Sequence, residues 1–353
     1  MINEFLKYNA FDIPVKQREK IFLKEINQLT NYHYNNCLEY KKILNLLNFN
    51  VRKNYSLEQI PFTPTRLFKH FDLISSKKKT VYKTLRSSGT TDSNVSRIYL
   101  DRKNVNNQIK VLSKIVSNFL GKERLPMLII DSKRQVENPN NLTAKNAAIR
   151  GFSIFGKNYE YLLNDSNEID YEKLNKFLFN FGKKKFLVFG FTIDIFQFLI
   201  NEIDPKKLNL NFKNSILLHG GGWKKLESKK IKNDLFKKKL LDKLKINKIF
   251  NYYGMVEQTG SIFVECNCGK FISSIFSDII IRDEKLKKVK KGNKGLIQLL
   301  SVLPTSYPGH SILTEDIGEI LDEDGCIKCK LHGKSFIVHG RAEQSEVRGC
   351  SDV

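Results

Sequence analysis

Between residues 100 and 255 short apolar runs alternate with stretches of helical spacing, and this alternation constrains the fold more than any other feature of the chain. The runs PMLII (126–130), KFLVFG (185–190), SILLHG (215–220) and KIFNYYG (248–254) are bounded by turn residues and predict strands. Helical spacing fills 104–120, 169–180, 192–203 and 223–244 between and around them. Strand and helix in alternation give βαβ units, hence an α/β fold with a mainly parallel sheet flanked by helices. After about residue 260 the pattern changes to short strands, SDIIIRD, GLIQLLSVL and GEIL, separated by Gly and Pro turns, which predicts a β-rich subdomain. Upstream, residues 14–48 place Ile21, Phe22, Leu23, Ile26, Leu29 and Tyr32 at helical spacing and predict one or two helices. The expected organisation is a helical region over 1–80 packed on the main domain, a nucleotide-binding α/β part over 81–260, a β-rich subdomain over 261–340 and a tail over 341–353.

A chain of 353 residues with 41% hydrophobic content can build a proper core. Its net charge of +23 favours polyanions near the surface, but the lysines are spread in short runs and no nucleic-acid reading motif accompanies them. Specific nucleic-acid binding is not expected. The N-terminus carries Glu4 and Asp12 and lacks the apolar core of a signal peptide, so the expected location is the cytoplasm. The most apolar stretch, 186–200, is too short to span a bilayer and is interrupted by Gly190, Asp194 and Gln197.

The segment Arg86-Ser-Ser-Gly-Thr-Thr-Asp-Ser-Asn concentrates hydroxyls around a glycine, which suits either a phosphate-wrapping loop or a polar hairpin turn. Neither a Walker A sequence nor GxGxxG is present. Later motifs follow in order: His219-Gly-Gly-Gly-Trp223 after one predicted strand, Tyr253-Gly-Met-Val-Glu257 after the next, Thr314-Glu-Asp-Ile-Gly318, and Gly340-Arg341-Ala-Glu343. Taken singly, each fits a turn, a helix cap or a surface pair. As a series they resemble the adenylate-forming superfamily of acyl-CoA synthetases. With AAIRGFS at 147–153 and the ending GRAEQSEVRGC, the whole chain resembles its LuxE-type acyl-protein synthetase branch.

The resemblance implies an acyl-AMP-forming ligase that activates a carboxylic acid, a fatty acid above all, with ATP and Mg²⁺. Ser87, Ser88, Gly89, Thr90 and Thr91 would hold the β- and γ-phosphates, with Asp92 standing where the superfamily usually has glycine. Gly220, Gly221 and Gly222 would pass the adenine, Tyr253 and Gly254 would lie beside it, and Glu257 would ligate Mg²⁺. Asp316 would bind the ribose, and Arg341 the ribose or the α-phosphate. Cys350 matches the acyl-accepting cysteine of LuxE-type proteins, from which a partner reductase or acyltransferase would take the acyl group. The superfamily's small C-terminal domain and its assisting lysine are expected to be missing, with Lys224 and Arg86 as candidate cations. Two alternatives stay open: transfer to coenzyme A or a carrier protein, and a non-catalytic basic module that holds nucleotide or polyanion.

Six cysteines in a chain expected to be cytoplasmic do not suggest a disulfide framework. Cys266-Asn-Cys268 and Cys326-Ile-Lys-Cys329 lie in turn-rich segments, where four thiolates can close a structural Zn²⁺ site or remain ordinary reduced cysteines. His332 is a candidate to replace one thiolate, and Cys37 falls in a helical apolar pattern as a core residue.

Overall fold

The apolar spacing of the N-terminal region produces two helices. In the computed structural model, which describes residues 2–87, 95–137, 143–223 and 231–342, α1 (Val15–Asn36) and α2 (Leu38–Leu46) meet at Cys37, where an extended backbone interrupts the helical run. One face of α1 buries Phe22, Ile26 and Leu29, an i, i+4, i+7 pattern. The same helix carries Arg18, whose guanidinium donates to the Ser277 carbonyl and lies 3.7 Å from Asp278, a carboxylate that Lys334 also reaches at 3.1 Å. Burial alone would push the Asp278 carboxyl up, but the two cations outweigh it and hold it below the usual range.

The chain divides into two compact units. One comprises residues 2–118 and 254–342, the other 119–253. The N-terminal region joins the β-rich segment through β1 (Thr63–Pro64), which runs parallel to residues 312–313. After α3 (Leu67–His70) come an antiparallel hairpin, β2 (Val81–Arg86) with β3 (Arg97–Asp101), and α4 (Arg102–Leu120).

The second unit is the α/β part. Its strands are β4 (Leu125–Ser132), β5 (Gly156–Leu163), β6 (Phe186–Phe191), β7 (Ser215–Gly220) and β8 (Lys248–Tyr253), all parallel, in the order β8-β7-β6-β4-β5. Between them run α5 (Lys133–Glu137), α6 (Ala144–Phe152), α7 (Tyr171–Phe181), α8 (Thr192–Asp194) and α9 (Asn233–Leu244). Two expected helices are corrected. The stretch 192–203 is helical, but from Ile195 to Glu202 it takes the wider π form, and the helix expected from 223 begins, among the described residues, only at Asn233. β6 and β7 are buried along their whole length, with Leu128, Val188 and Leu217 in the core beneath Phe177, Phe198 and Phe236.

On its return to the first unit the chain forms β9 (Phe263–Glu265), β10 (Phe271–Ile272), β11 (Ser277–Arg282), β12 (Lys294–Ser301), β13 (Ser311–Asp322) and β14 (Ser335–Arg341). They pair antiparallel in the order β11-β12-β13-β14-β10-β9, the β-rich part that the turn pattern predicts. No helix among the described residues is long and apolar enough to cross a membrane.

Three buried histidines tie stability to pH. In the first unit His33 and His310 stack at 4.9 Å. The Pro304 carbonyl can only accept, so His33 donates to it through Nε2 and accepts from Ser75 at Nδ1. Burial pushes His33 and His219 down to about 3, and burial beside His33 holds His310 well below 6.5. These rings stay neutral in the fold while the unfolded chain protonates below about pH 6.5, so stability is full above that pH and falls as pH drops from 6.5 toward 3. Urea unfolding at pH 7.5 and 5.5 should show a loss of about 1.4 kcal/mol per histidine, about 4 kcal/mol for the three.

Candidate active site

In the first unit the fold gathers residues that are far apart in sequence. Ser87 and Ser96 stand at the two ends of the loop between β2 and β3. The Ser87 amide donates to the Ser96 carbonyl at 3.0 Å, and the Ser96 amide donates to the Ser87 hydroxyl at 2.8 Å. Ser87 therefore closes the loop at its base, while Ser88, Gly89, Thr90 and Thr91 lie outside the described residues. Near Ser96 lies Glu257, in a short 3-10 turn (Val256–Gln258) and 8% exposed. Burial pushes the Glu257 carboxyl up, opposed by the nearby Ser96 hydroxyl and by the charges of Lys69 and Arg341. Arg341, at the end of β14, is the register partner of Asp316 on β13. The Asp316 amide donates to the Thr314 hydroxyl at 3.1 Å, and that hydroxyl donates to the Ile297 carbonyl at 2.9 Å, which fixes the strand at this point.

The second unit carries Gly220, Gly221, Gly222 and Tyr253 at the carboxyl ends of β7 and β8, the end of a parallel sheet at which α/β proteins bind ligands. The three glycines differ in what they provide. A Cβ on Gly220 would lie 2.4 Å from the Tyr252 ring, so that position is needed for packing. Gly221 has φ +81°, a conformation that favours glycine, and only Gly222 has open space where a side chain would be. Tyr252 packs on Phe152 of α6 at 4.7 Å, which gives the AAIRGFS segment its place under the strand ends. Tyr253, the next residue of the strand, points to the opposite face. Gly254, first residue after β8, begins the return into the first unit. Beside Gly220, His219 donates from Nδ1 to the Thr192 hydroxyl at 2.9 Å, and that hydroxyl donates to the Gly220 carbonyl at 3.1 Å.

Two arrangements have no counterpart in the sequence reading. Lys145 of α6 bridges Asp131 of β4 at 3.0 Å and Asp194 of α8 at 2.9 Å. Burial alone would lower the Lys145 ammonium, but the two carboxylates outweigh it and hold it above its ordinary value. An acid closing an apolar strand run, as in PMLIID, was the available signal. The second is Ser96, whose role emerges only once the hairpin is folded.

The cysteine pairs do come together. The Sγ atoms of Cys266, Cys268, Cys326 and Cys329 lie within 4.8 Å of one another. His332 stands outside this group, with Nδ1 3.4 Å from Asp324, and Cys37 is buried in the core. Arg86 ends β2, whereas Lys224, Glu343 and Cys350 lie outside the described residues.

Among solved structures, an open conformation of 2-hydroxyisobutyryl-CoA ligase in complex with 2-HIB-AMP and CoA aligns with 95% of this chain and 72% of its own at a TM-score of 0.74 and 13% identity. The same ligase in its postadenylation state with 2-HIB-AMP aligns with 94% of this chain and 69% of its own at a TM-score of 0.70 and 13% identity. At this identity the likeness establishes the fold. Comparison with curated protein sequences gives no match. The family described as acyl-protein synthetase, LuxE, matches residues 3–353. The chain belongs to the LuxE acyl-protein synthetase family of acyl-adenylate-forming ligases.

Proposed function

We propose that this protein uses ATP to convert a fatty acid to its acyl adenylate and then carries the acyl group on Cys350 for delivery to a partner reductase. The observation that supports it most is the gathering of Ser87, Ser96, Glu257, Asp316 and Arg341 within one unit of a chain that matches the family over nearly its whole length. In the first step a carboxylate oxygen of the acid attacks the α-phosphorus of ATP and pyrophosphate leaves. Arg341 stabilises the charge that develops on the phosphate, and Asp316 accepts hydrogen bonds from the ribose hydroxyls. Glu257 is the residue to hold Mg²⁺: it is a buried hard oxygen donor whose charged form burial disfavours, so a nearby dication would favour its ionised state. Bound there, Mg²⁺ neutralises phosphate charge. Within the second unit, Tyr253 and Gly222 are the residues that the family resemblance assigns to a flat base, and Gly222 has open space where a side chain would be.

In the second step the Cys350 thiolate attacks the acyl carbonyl, the bond to AMP breaks, and a thioester forms. The test is mass spectrometry of the intact protein after incubation with ATP and a fatty acid. The wild type should gain one hydroxylamine-labile acyl group, and Cys350→Ser should gain no such thioester while keeping ATP–pyrophosphate exchange. Exchange without an adduct on the wild type would instead assign transfer to coenzyme A or a carrier protein.

A further inference from the structure

The geometry points to a structural zinc ion held by Cys266, Cys268, Cys326 and Cys329, a site separate from the adenylation chemistry. Cys266 and Cys268 belong to the turn between β9 and β10, and Cys326 and Cys329 to the connection from β13 to β14. Because β10 is paired with both β9 and β14, the sheet itself sets the two turns side by side. All four sulfurs lie within 4.8 Å of one another, and those of Cys268 and Cys329 are 3.6 Å apart. Thiolates at about 2.3 Å from a tetrahedral zinc are separated by about 3.8 Å, whereas a disulfide requires about 2.05 Å. The four are free thiols at the spacing of ligands around one ion.

Both turns are shaped to curl around their cysteines. The Gly269 amide donates to the Cys266 carbonyl at 2.9 Å, with Gly269 at φ +76°. In the second turn the Cys329 amide donates to the Cys326 carbonyl at 3.1 Å, and Lys330 follows at φ +55°. Gly325 precedes it at φ +84°, where a Cβ would lie 1.8 Å from the Leu331 carbonyl oxygen. Apolar packing does not hold this second turn: Ile327, inside the Cys326–Cys329 pair, is 95% exposed. A metal cross-link provides the anchor that a core does not.

An all-sulfur, four-ligand set of this kind selects zinc over magnesium or calcium. Zinc with four thiolates carries a net charge of −2; Lys270 on the first turn is paired with Asp322 at 2.8 Å, and Lys328 and Lys330 add positive residues to the second turn. The ion closes the loop end of the β13–β14 hairpin, whose other end sets Asp316 opposite Arg341. Its loss should therefore loosen the register of that pair.

The test is metal analysis of the full-length wild type, purified under reducing conditions and desalted, together with thiol titration. One zinc per chain is expected, with the four thiols protected from the titrant until a mercurial releases the ion. Cobalt exchanged into the protein should show the thiolate charge-transfer and ligand-field bands of a tetrahedral site. The Cys268→Ser, Cys329→Ser double variant should lose the zinc and melt at lower temperature. A wild type that binds no stoichiometric zinc even after reconstitution, with four freely titrating thiols, would overturn the proposal. Iron in place of zinc would overturn the identity of the ion. Neither result depends on whether the protein forms acyl adenylates.

Discussion

Replacing Glu257 by glutamine is expected to lower ATP–pyrophosphate exchange by about a hundredfold or more while leaving the fold as stable as the wild type. The two halves of this prediction have the same origin. Burial works against the charged carboxylate, so an isosteric neutral amide costs the fold nothing. Glutamine supplies no charge for Mg²⁺, so the phosphate charge of ATP loses its partner at the moment pyrophosphate leaves. Exchange assays at saturating Mg²⁺, with urea unfolding of the same samples, separate the two effects. An active Glu257→Gln protein would reduce Glu257 to a residue of the turn at Val256–Gln258.

Lys145→Met should produce the largest loss of stability, about 3–5 kcal/mol, read from the urea midpoint. The ammonium is the cation shared by Asp131, 2% exposed, and Asp194, 12% exposed, so its removal leaves two buried carboxylates facing each other without it. The apolar methionine fills the volume of the side chain but not its charge. Lys288→Met is the control. Lys288 pairs with Glu58 at 2.7 Å, but both side chains are at least 36% exposed, and water screens the pair, so the change should stay within about 1 kcal/mol. Equal effects for the two variants would mean that the Lys145 bridge between β4 and α8 contributes no more than a surface pair.

The α/β unit was legible because its central strands are buried on both faces, which turns Phe186–Phe191 and Ser215–Gly220 into continuous apolar runs. β5 was missed for the opposite reason. As the edge of the sheet it exposes Lys157, Asn158 and Tyr159, and GKNYEYLL carries no uninterrupted apolar run. The β2–β3 hairpin is similarly exposed along VYKTLR. Contacts distant in sequence were beyond reach, since nothing local tells that Arg18 meets Asp278 or that Thr63 and Pro64 add a strand to β13. The N-terminal region, expected to pack on the main domain, shares a unit with the β-rich segment.

The places of the candidate motifs in the fold were legible where motif and topology coincide. HGGGW and YGMVE begin on the last residues of β7 and β8, and the spacing of the cysteine pairs pointed to a cluster that the sheet does assemble. The different duties of the three glycines were not legible. The letter G is the same whether Tyr252 fills the space, as at Gly220, or the space is open, as at Gly222.

ATP–pyrophosphate exchange by the wild-type protein, measured across fatty and short carboxylic acids, tests the central claim most directly. The account predicts Mg²⁺-dependent exchange that is strongest with fatty acids. Absence of exchange with every acid, from folded protein that binds ATP, would contradict it.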